Sequence, residues 1–132
     1  MMFTIDKMSR TPIYEQLISR FETSILSGEI GPEGKLPSVR YLSQHLGINP
    51  NTLQRAYLEI ERRGLCYSVP GNGRFLSKDA IEKLRSESLL QTEAIKLQMC
   101  SLKEKGITKS MMLDIVNSVY DTDDYERKVL SE

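Results

Sequence analysis

The sequence predicts a mainly α fold with a small β-hairpin: a winged helix-turn-helix domain followed by a two-helix C-terminal dimerisation segment. Three observations predict it. Apolar residues recur at helical spacing in five stretches, most of them opened by a capping residue or closed by a glycine. Between the third and fourth stretches the spacing changes to that of two short strands around a Gly-rich turn. The order helix, helix, helix, hairpin is that of a winged helix, and 132 residues hold one such domain with an appendage. An apolar share of 39% supports a modest core and argues against wholesale disorder.

The first helix opens at Thr11-Pro12, where Thr is a good N-cap and Pro at the first helical position gives up only an N–H that would be unpaired. Ile13, Tyr14, Leu17, Ile18, Phe21, Ile25 and Leu26 form its apolar face, with Gln16, Ser19, Arg20 and Glu22 between them, and Gly28 ends it. Gly31-Pro32-Glu33-Gly34 reads as a loop. Ser38 caps a short second helix that turns Val39, Leu42 and Leu46 inward and stops at Gly47. Asn49-Pro50 repeats the cap-then-proline signal for a third helix, which buries Leu53, Ala56, Tyr57 and Ile60 and runs to Gly64. Two short helices joined through Gly47-Ile48-Asn49 fit helix-turn-helix geometry.

Leu65-Cys66-Tyr67-Ser68-Val69 and Arg74-Phe75-Leu76-Ser77 read as strands joined by Pro70-Gly71-Asn72-Gly73. Such a hairpin is too small to stand alone and must pack on the helices. Asp79 and Glu82 suggest a variant capping box for a long fourth helix reaching Lys105, whose broad apolar side carries Ile81, Leu84, Leu89, Leu90, Ala94, Ile95, Leu97, Met99 and Leu102. Gly106 closes it, and Thr108 caps a fifth helix bearing Met111, Met112, Ile115, Val116 and Val119. The end from Asp121-Thr122-Asp123-Asp124 onward is polar and expected to fray. Two helices cannot enclose so many apolar residues alone. The expected division is therefore 1–78 for the winged domain and 79–132 for a segment that pairs with a second copy.

Charge is balanced in sum, with 18 basic and 18 acidic residues, but not along the chain. Residues 1–34 carry a net −2, residues 35–78 a net +5, and residues 79–132 a net −3. A basic centre beside an acidic tail suggests two tasks in one chain, and it gains meaning if the basic groups share one surface. Turning the apolar face of the third helix inward leaves Asn51, Thr52, Gln54, Arg55 and Leu58 outward, with Arg62 and Arg63 at the far end. Asn and Gln match the N6/N7 edge of adenine, and Arg matches guanine O6/N7 or a phosphate. The leading turn of such a helix is where base contacts are made. Any exposed helix face is polar, so it is the agreement of caps, turn and hairpin that singles this one out. Arg40 lies in the first turn of the second helix, where a cation opposes the local dipole unless a phosphate or another anion faces it. The tip Gly71-Asn72-Gly73 has no bulky side chain and allows close backbone approach, with Arg74 beside it, although a plain turn favours the same glycines.

Little else suggests chemistry. His45 is a lone histidine, read as a packing or capping residue, and no Cys cluster or catalytic carboxylate pair accompanies it. Cys66 and Cys100 make neither a disulfide framework nor a metal knuckle, and are expected as buried thiols of a reducing cytoplasm. No apolar run approaches the ~18 residues that span a bilayer, and MMFTIDKMSR lacks the apolar stretch of a secretory signal. No enzyme, cofactor, metal or membrane partner is expected.

The stretches Pro12-Ile13-Tyr14-Glu15-Gln16-Leu17, Gly34-Lys35-Leu36-Pro37-Ser38-Val39-Arg40, Leu46-Gly47-Ile48-Asn49-Pro50-Asn51-Thr52, Ala56-Tyr57 and Gly71-Asn72-Gly73-Arg74-Phe75 resemble the GntR family of bacterial transcription regulators. The resemblance spans roughly residues 11–77 in unbroken order, and the short two-helix tail is similar to the YtrA-like subfamily. It implies a homodimeric repressor that binds double-stranded DNA. The resemblance implies that the family's Arg that touches the DNA backbone or bases falls on Arg40, that its recognition-helix contacts fall on Asn51, Thr52 and Gln54, and that its wing glycine falls on Gly71. Many relatives place a guanine-reading Arg near the position of Pro50, which Pro cannot replace, so base preference shifts to Asn51, Gln54 and Arg55.

The residues expected to face DNA are Lys35, Ser38, Arg40, Asn49, Asn51, Thr52, Gln54, Arg55, Gly71, Asn72, Gly73 and Arg74. Two other readings stand beside this one. The first is a winged-helix module that binds protein and not DNA, which would show apolar residues on the outward face, where only Leu58 qualifies. The second adds a small-molecule effector in a pocket between tail and winged domain, lined by Tyr67, Met99, Met111 and Tyr120, residues that core packing accounts for at least as well.

Overall fold

A computed structural model describes residues 4–31 and 33–121. Pro32, within the expected loop, and the polar end from Thr122 lie outside the described residues. Five helices and one hairpin follow in order among the described residues: α1 (Ile13–Leu26), α2 (Val39–Leu46), α3 (Pro50–Arg62), β1 (Cys66–Val69), β2 (Gly73–Leu76), α4 (Ala80–Glu104) and α5 (Lys109–Tyr120). The winged helix-turn-helix expected from the pattern is present.

Most helix ends carry the expected chemistry. Ser38 Oγ accepts the Tyr41 N–H at 3.0 Å, Asn49 Oδ1 accepts the Asn51 N–H at 2.8 Å, and Thr108 Oγ1 accepts the Met111 N–H at 3.2 Å. Two ends differ. Pro12, not Thr11, is the residue before α1, and among the described residues no side chain caps that helix. Its place is taken by Gln16, which was expected between the apolar positions and is instead 4% exposed. Gln16 Nε2 donates to the carbonyls of Asp6 and Thr11 at 2.9 and 2.8 Å, and its Oε1 accepts the Asp6 N–H at 2.9 Å. A buried amide with its bonds made thus anchors the segment before α1. At α4, Asp79 is the N-cap residue but makes no side-chain cap bond; its carboxylate pairs with Lys83 at 3.5 Å. The capping box is not formed.

The hairpin is antiparallel, with Cys66 opposite Leu76 and Ser68 opposite Arg74. It gains a third edge that alternation alone did not reveal. The Leu36 N–H donates to the Arg74 carbonyl at 2.9 Å and the Leu76 N–H to the Gly34 carbonyl at 2.8 Å, so the segment entering α2 runs against β2. This pairing satisfies the outer edge of the wing.

The core draws on every element up to the start of α4. Leu17, Phe21 and Ile25 of α1 meet Leu42 of α2, Leu53, Ala56, Tyr57 and Ile60 of α3, and Leu65, Cys66 and Leu76 of the hairpin. Phe21 and Tyr57 rings lie 4.9 Å apart, tilted by 46°. Ala80 and Leu84, the first inward residues of α4, belong to the same core at 1% and 2% exposure. From Ser88 onward every α4 residue is exposed, and α5 buries none of its side chains. Cys66 is buried, whereas Cys100 is exposed on α4, contrary to the expectation that both are buried.

Burial pushes the Cys66 thiol up to about 12, and the Tyr57 phenol is likewise held well above its ordinary range by burial. Both groups are neutral when protonated, and the folded chain keeps protons that the unfolded chain releases near 9.0 and 10.0. Stability therefore holds below about pH 9 and falls as pH rises toward about 12. Urea unfolding at about pH 7.5 and about pH 10.5 measures this: the midpoint falls at the higher pH, and an unchanged midpoint contradicts the burial of these groups.

Candidate nucleic-acid interface

The turn between α2 and α3 is built tightly. Gly47 adopts the left-handed conformation (φ +65°) that ends α2, and Ile48 N–H reaches back to the Ser43 carbonyl at 3.2 Å. Lys7 Nζ donates to the Gly47 carbonyl at 2.9 Å, so the segment tied down by Gln16 also braces this turn. Tyr57 fixes the roll of α3. It is wholly buried, its hydroxyl donates to the Pro37 carbonyl, and its ring packs on Phe21.

With that face inward, Asn51, Arg55 and Leu58 are exposed and Thr52 and Gln54 are half-buried at the margins. Arg55 lies over Tyr14 of α1, its guanidinium carbon 4.7 Å from the ring centroid. That contact holds the side chain at one edge of the helix without using its hydrogen-bond donors. Periodicity places Tyr14 on the apolar face of α1, and the structure adds a role that periodicity does not show, as a platform for Arg55. Its amphipathic ring at the mouth of α1 is the one sequence signal that bears on it.

Gln54 points to the opposite edge, toward the wing. An open groove of about 490 Å³ there is lined by Lys35, Ser38, Gln54, Gly71, Asn72, Gly73 and Arg74 among others. Seven of the twelve expected residues therefore surround one groove. Arg40, Asn49, Asn51 and Arg55 are exposed outside it, and Thr52 is partly covered. At the wing tip, Gly73 has φ +109°, and a Cβ there would come within 3.1 Å of Lys35 Cε; Gly71 has φ +80° and faces open space. Both values disfavour any side chain.

Not every expected cation is free. Arg74 is half-buried beneath the wing, its guanidinium 5.0 Å from the Tyr57 ring centroid, and its Nε is buried without a hydrogen-bond partner among the described residues. It forms part of the groove's wall, not a projection from the tip. Arg62 pairs with Glu59 across one helical turn, and its hydrogen bond holds the Glu59 carboxyl below the usual carboxylate range. Arg63 is 16% exposed at its side chain and is bonded to Glu22 and Glu87, so it is not on the outward face. Two of the seven basic groups between residues 35 and 78 are thus spent on internal pairs. His45 is exposed and stacks on Tyr41, with ring centroids 5.6 Å apart, and does not pack in the core.

The expected effector-pocket residues are not brought together. Tyr67 stacks on Phe75 at 5.9 Å in the wing, and Met99 lines a groove of about 670 Å³ at the α4–α5 turn with Cys100, Ile107, Met112, Leu113 and Val116. Met111 and Tyr120 are exposed and do not line it. Among the described residues, no three His, Cys, Asp or Glu side chains gather to hold a metal ion, and no helix is long and apolar enough to cross a membrane.

Residues 13–76 match the family described as bacterial regulatory proteins, gntR family. The chain is 36% identical over 113 residues to the HTH-type transcriptional repressor YtrA of Bacillus subtilis (strain 168), covering 86% of this chain and 78% of that one. Among solved structures it is similar to a GntR family transcriptional regulator from Listeria monocytogenes, with a TM-score of 0.68 and 32% identity over 86% of this chain and 98% of the other. It is also similar to the DNA-binding domain of AraR in complex with operator ORE1, with a TM-score of 0.50 and 28% identity over 58% of this chain and 94% of the other.

Proposed function

The chain belongs to the GntR family of bacterial regulatory proteins, and from this we propose that it is a cytoplasmic repressor that binds double-stranded DNA as a homodimer on a pseudo-palindromic operator. One observation carries the reading: Gln54 of α3, Ser38 before α2 and the glycine-tipped wing line a common groove, while Asn51 and Arg55 of α3 and Arg40 of α2 are exposed outside it. A duplex takes α3 into its major groove through Asn51, Gln54 and Arg55, while Arg40, Lys35 and the backbone of residues 71–73 meet phosphates or the minor groove. Ser38 and Asn49 cap the two helices whose N-termini face the duplex, Thr52 borders the reading face, and Arg74 supports the wing from behind.

The exposed arm supports the dimer reading. Leu89, Leu90, Ile95, Leu97, Leu113 and Ile115 are each more than half exposed, and an apolar surface of that extent is typical of an interface. A second copy of the same arm is the partner that buries it, filling the groove at the α4–α5 turn. Two-fold symmetry then places half-sites about one helical turn apart. Selection of bound duplexes from random DNA tests the whole reading. It is expected to return an inverted repeat, and recovery of sequences without shared pattern contradicts it.

Arg40→Ala is expected to weaken binding to all duplexes and to reduce the slope of log affinity against log salt by about one, because one phosphate contact and its released counterion are lost. An unchanged slope removes Arg40 from the contact set. Gln54→Ala is expected to relax preference at one base position by ~1–3 kcal/mol while leaving the others intact. A uniform loss across sequences excludes it as a reader. Because Ala80 and Leu84 complete the winged core, a chain ending at Gln91 keeps that core and loses the arm. Sedimentation is expected to show a folded monomer with weak DNA affinity, and a surviving dimer places the interface elsewhere.

A further inference from the structure

Three helices of this chain converge on one guanidinium. Arg63 is the residue that ends α3, and its Nη2 donates to Glu22 Oε2 of α1 at 3.0 Å and also to Glu87 Oε2 of α4. The Arg63 side chain is 16% exposed, against 33% for Glu22 and 40% for Glu87. Beside it, Lys83 of α4 donates from Nζ to the Gly64 carbonyl at 3.2 Å and pairs with Asp79. On the inner side Ala80 and Leu84 enter the core. The start of α4 is therefore held from within by Ala80 and Leu84, with partly buried Ile81 packed on the same core, and from without by Arg63 and Lys83. Glu87 is the outermost side chain in this clamp, and everything on α4 beyond it is exposed.

The position of the clamp matters because α4 is a lever. From Glu87 to Glu104 the helix runs about 25 Å, so a tilt of about 10° at Glu87 displaces its far end by about 4 Å, comparable with the 3.4 Å rise of one base pair. The apolar contacts through Ala80 and Leu84 resist separation but are non-directional, whereas a guanidinium held by two carboxylates from different helices fixes direction. Arg63 also adjoins the reading helix itself, so the clamp links the helix that reads a half-site to the arm that sets where the other half-site lies.

We propose that Arg63, held between Glu22 and Glu87, determines which half-site spacing the protein accepts, as a positioning residue that touches no DNA. The proposal rests on the homodimer reading above. Breaking the clamp leaves each winged domain able to bind its half-site but lets the two domains settle over a range of separations.

The test uses the full-length chain with operator duplexes whose half-sites are moved apart or together one base pair at a time, together with a duplex holding a single half-site. Wild type is expected to prefer one spacing over its neighbours by about tenfold. Arg63→Gln is expected to bring neighbouring spacings within about twofold of one another while its affinity for the single half-site stays within about twofold of wild type. The exchanged pair Arg63→Glu with Glu87→Arg, in which the new Arg faces two carboxylates, is expected to restore the preference. Glu87→Gln leaves Arg63 paired with Glu22 and serves if the Arg63 variant fails to fold; it is expected to broaden the profile in the same direction. A variant dimer that keeps the wild-type profile overturns the proposal, as does an equal loss at every spacing and at the single half-site. A monomeric wild type in sedimentation overturns the dimer reading and this proposal with it, whereas a dimeric wild type with unaltered variants overturns this proposal alone.

Discussion

The arrangement depends on how Tyr57 is held. One side chain contacts the neighbouring layers at once: its ring meets Phe21 of α1, the Arg74 guanidinium of β2 lies over that ring, and its hydroxyl donates to Pro37 in the segment that enters α2. That segment is also the third edge of the wing, through the Leu36 and Leu76 amide bonds. The roll of α3, the wing and the approach to α2 are thus coupled through one buried phenol. An aromatic that fills a core while its polar end satisfies a buried carbonyl gives packing and direction together. Rotating α3 by one residue would bury Asn51 or Gln54 in place of Leu53 and Tyr57, so the polar face is the necessary complement of the apolar one.

Charge is arranged with similar economy. The central segment looks strongly basic in sequence, but Arg62 and Arg63 are committed to carboxylates at the trailing end of α3, away from its leading turn. Lys35, Arg40 and Arg55 remain exposed. These exposed cations are the ones proposed to meet the duplex, whereas Arg63 joins α3 to α1 and α4. Arg55 stands between these uses, because stacking on Tyr14 limits its freedom yet leaves its donors available.

Much of this was legible from residue order. Cap chemistry at Ser38, Asn49 and Thr108, glycines at 47, 64 and 106, and the inward sets of α2 and α3 all follow local rules, and local rules located them. What escaped was long-range. Gln16 is read as surface by periodicity because nothing local reveals that residues 6 and 11 supply its partners. Arg63 is read as outward because its two carboxylates lie 41 residues before it and 24 after it. The third wing edge at Leu36 is too short to show alternation, and Arg74 has its place only once Tyr57 is packed beneath it. The division at residue 78 follows the end of the hairpin, while Ala80 and Leu84 carry the winged core into α4. The twelve candidate residues rest on helix phase and on the family resemblance; the structure groups seven of them about one groove and leaves four of the other five exposed.

The central claim is that the leading turns of α3 and the wing form one surface that receives DNA, with the α4–α5 arm turned to another task. Amide chemical-shift mapping during titration with a selected operator duplex tests this most directly. The account predicts large shifts at Arg40, Asn51, Gln54, Asn72 and Gly73, with Leu97, Leu113 and Val116 unmoved. Shifts confined to the arm, with residues 49–55 and the wing silent, would contradict it.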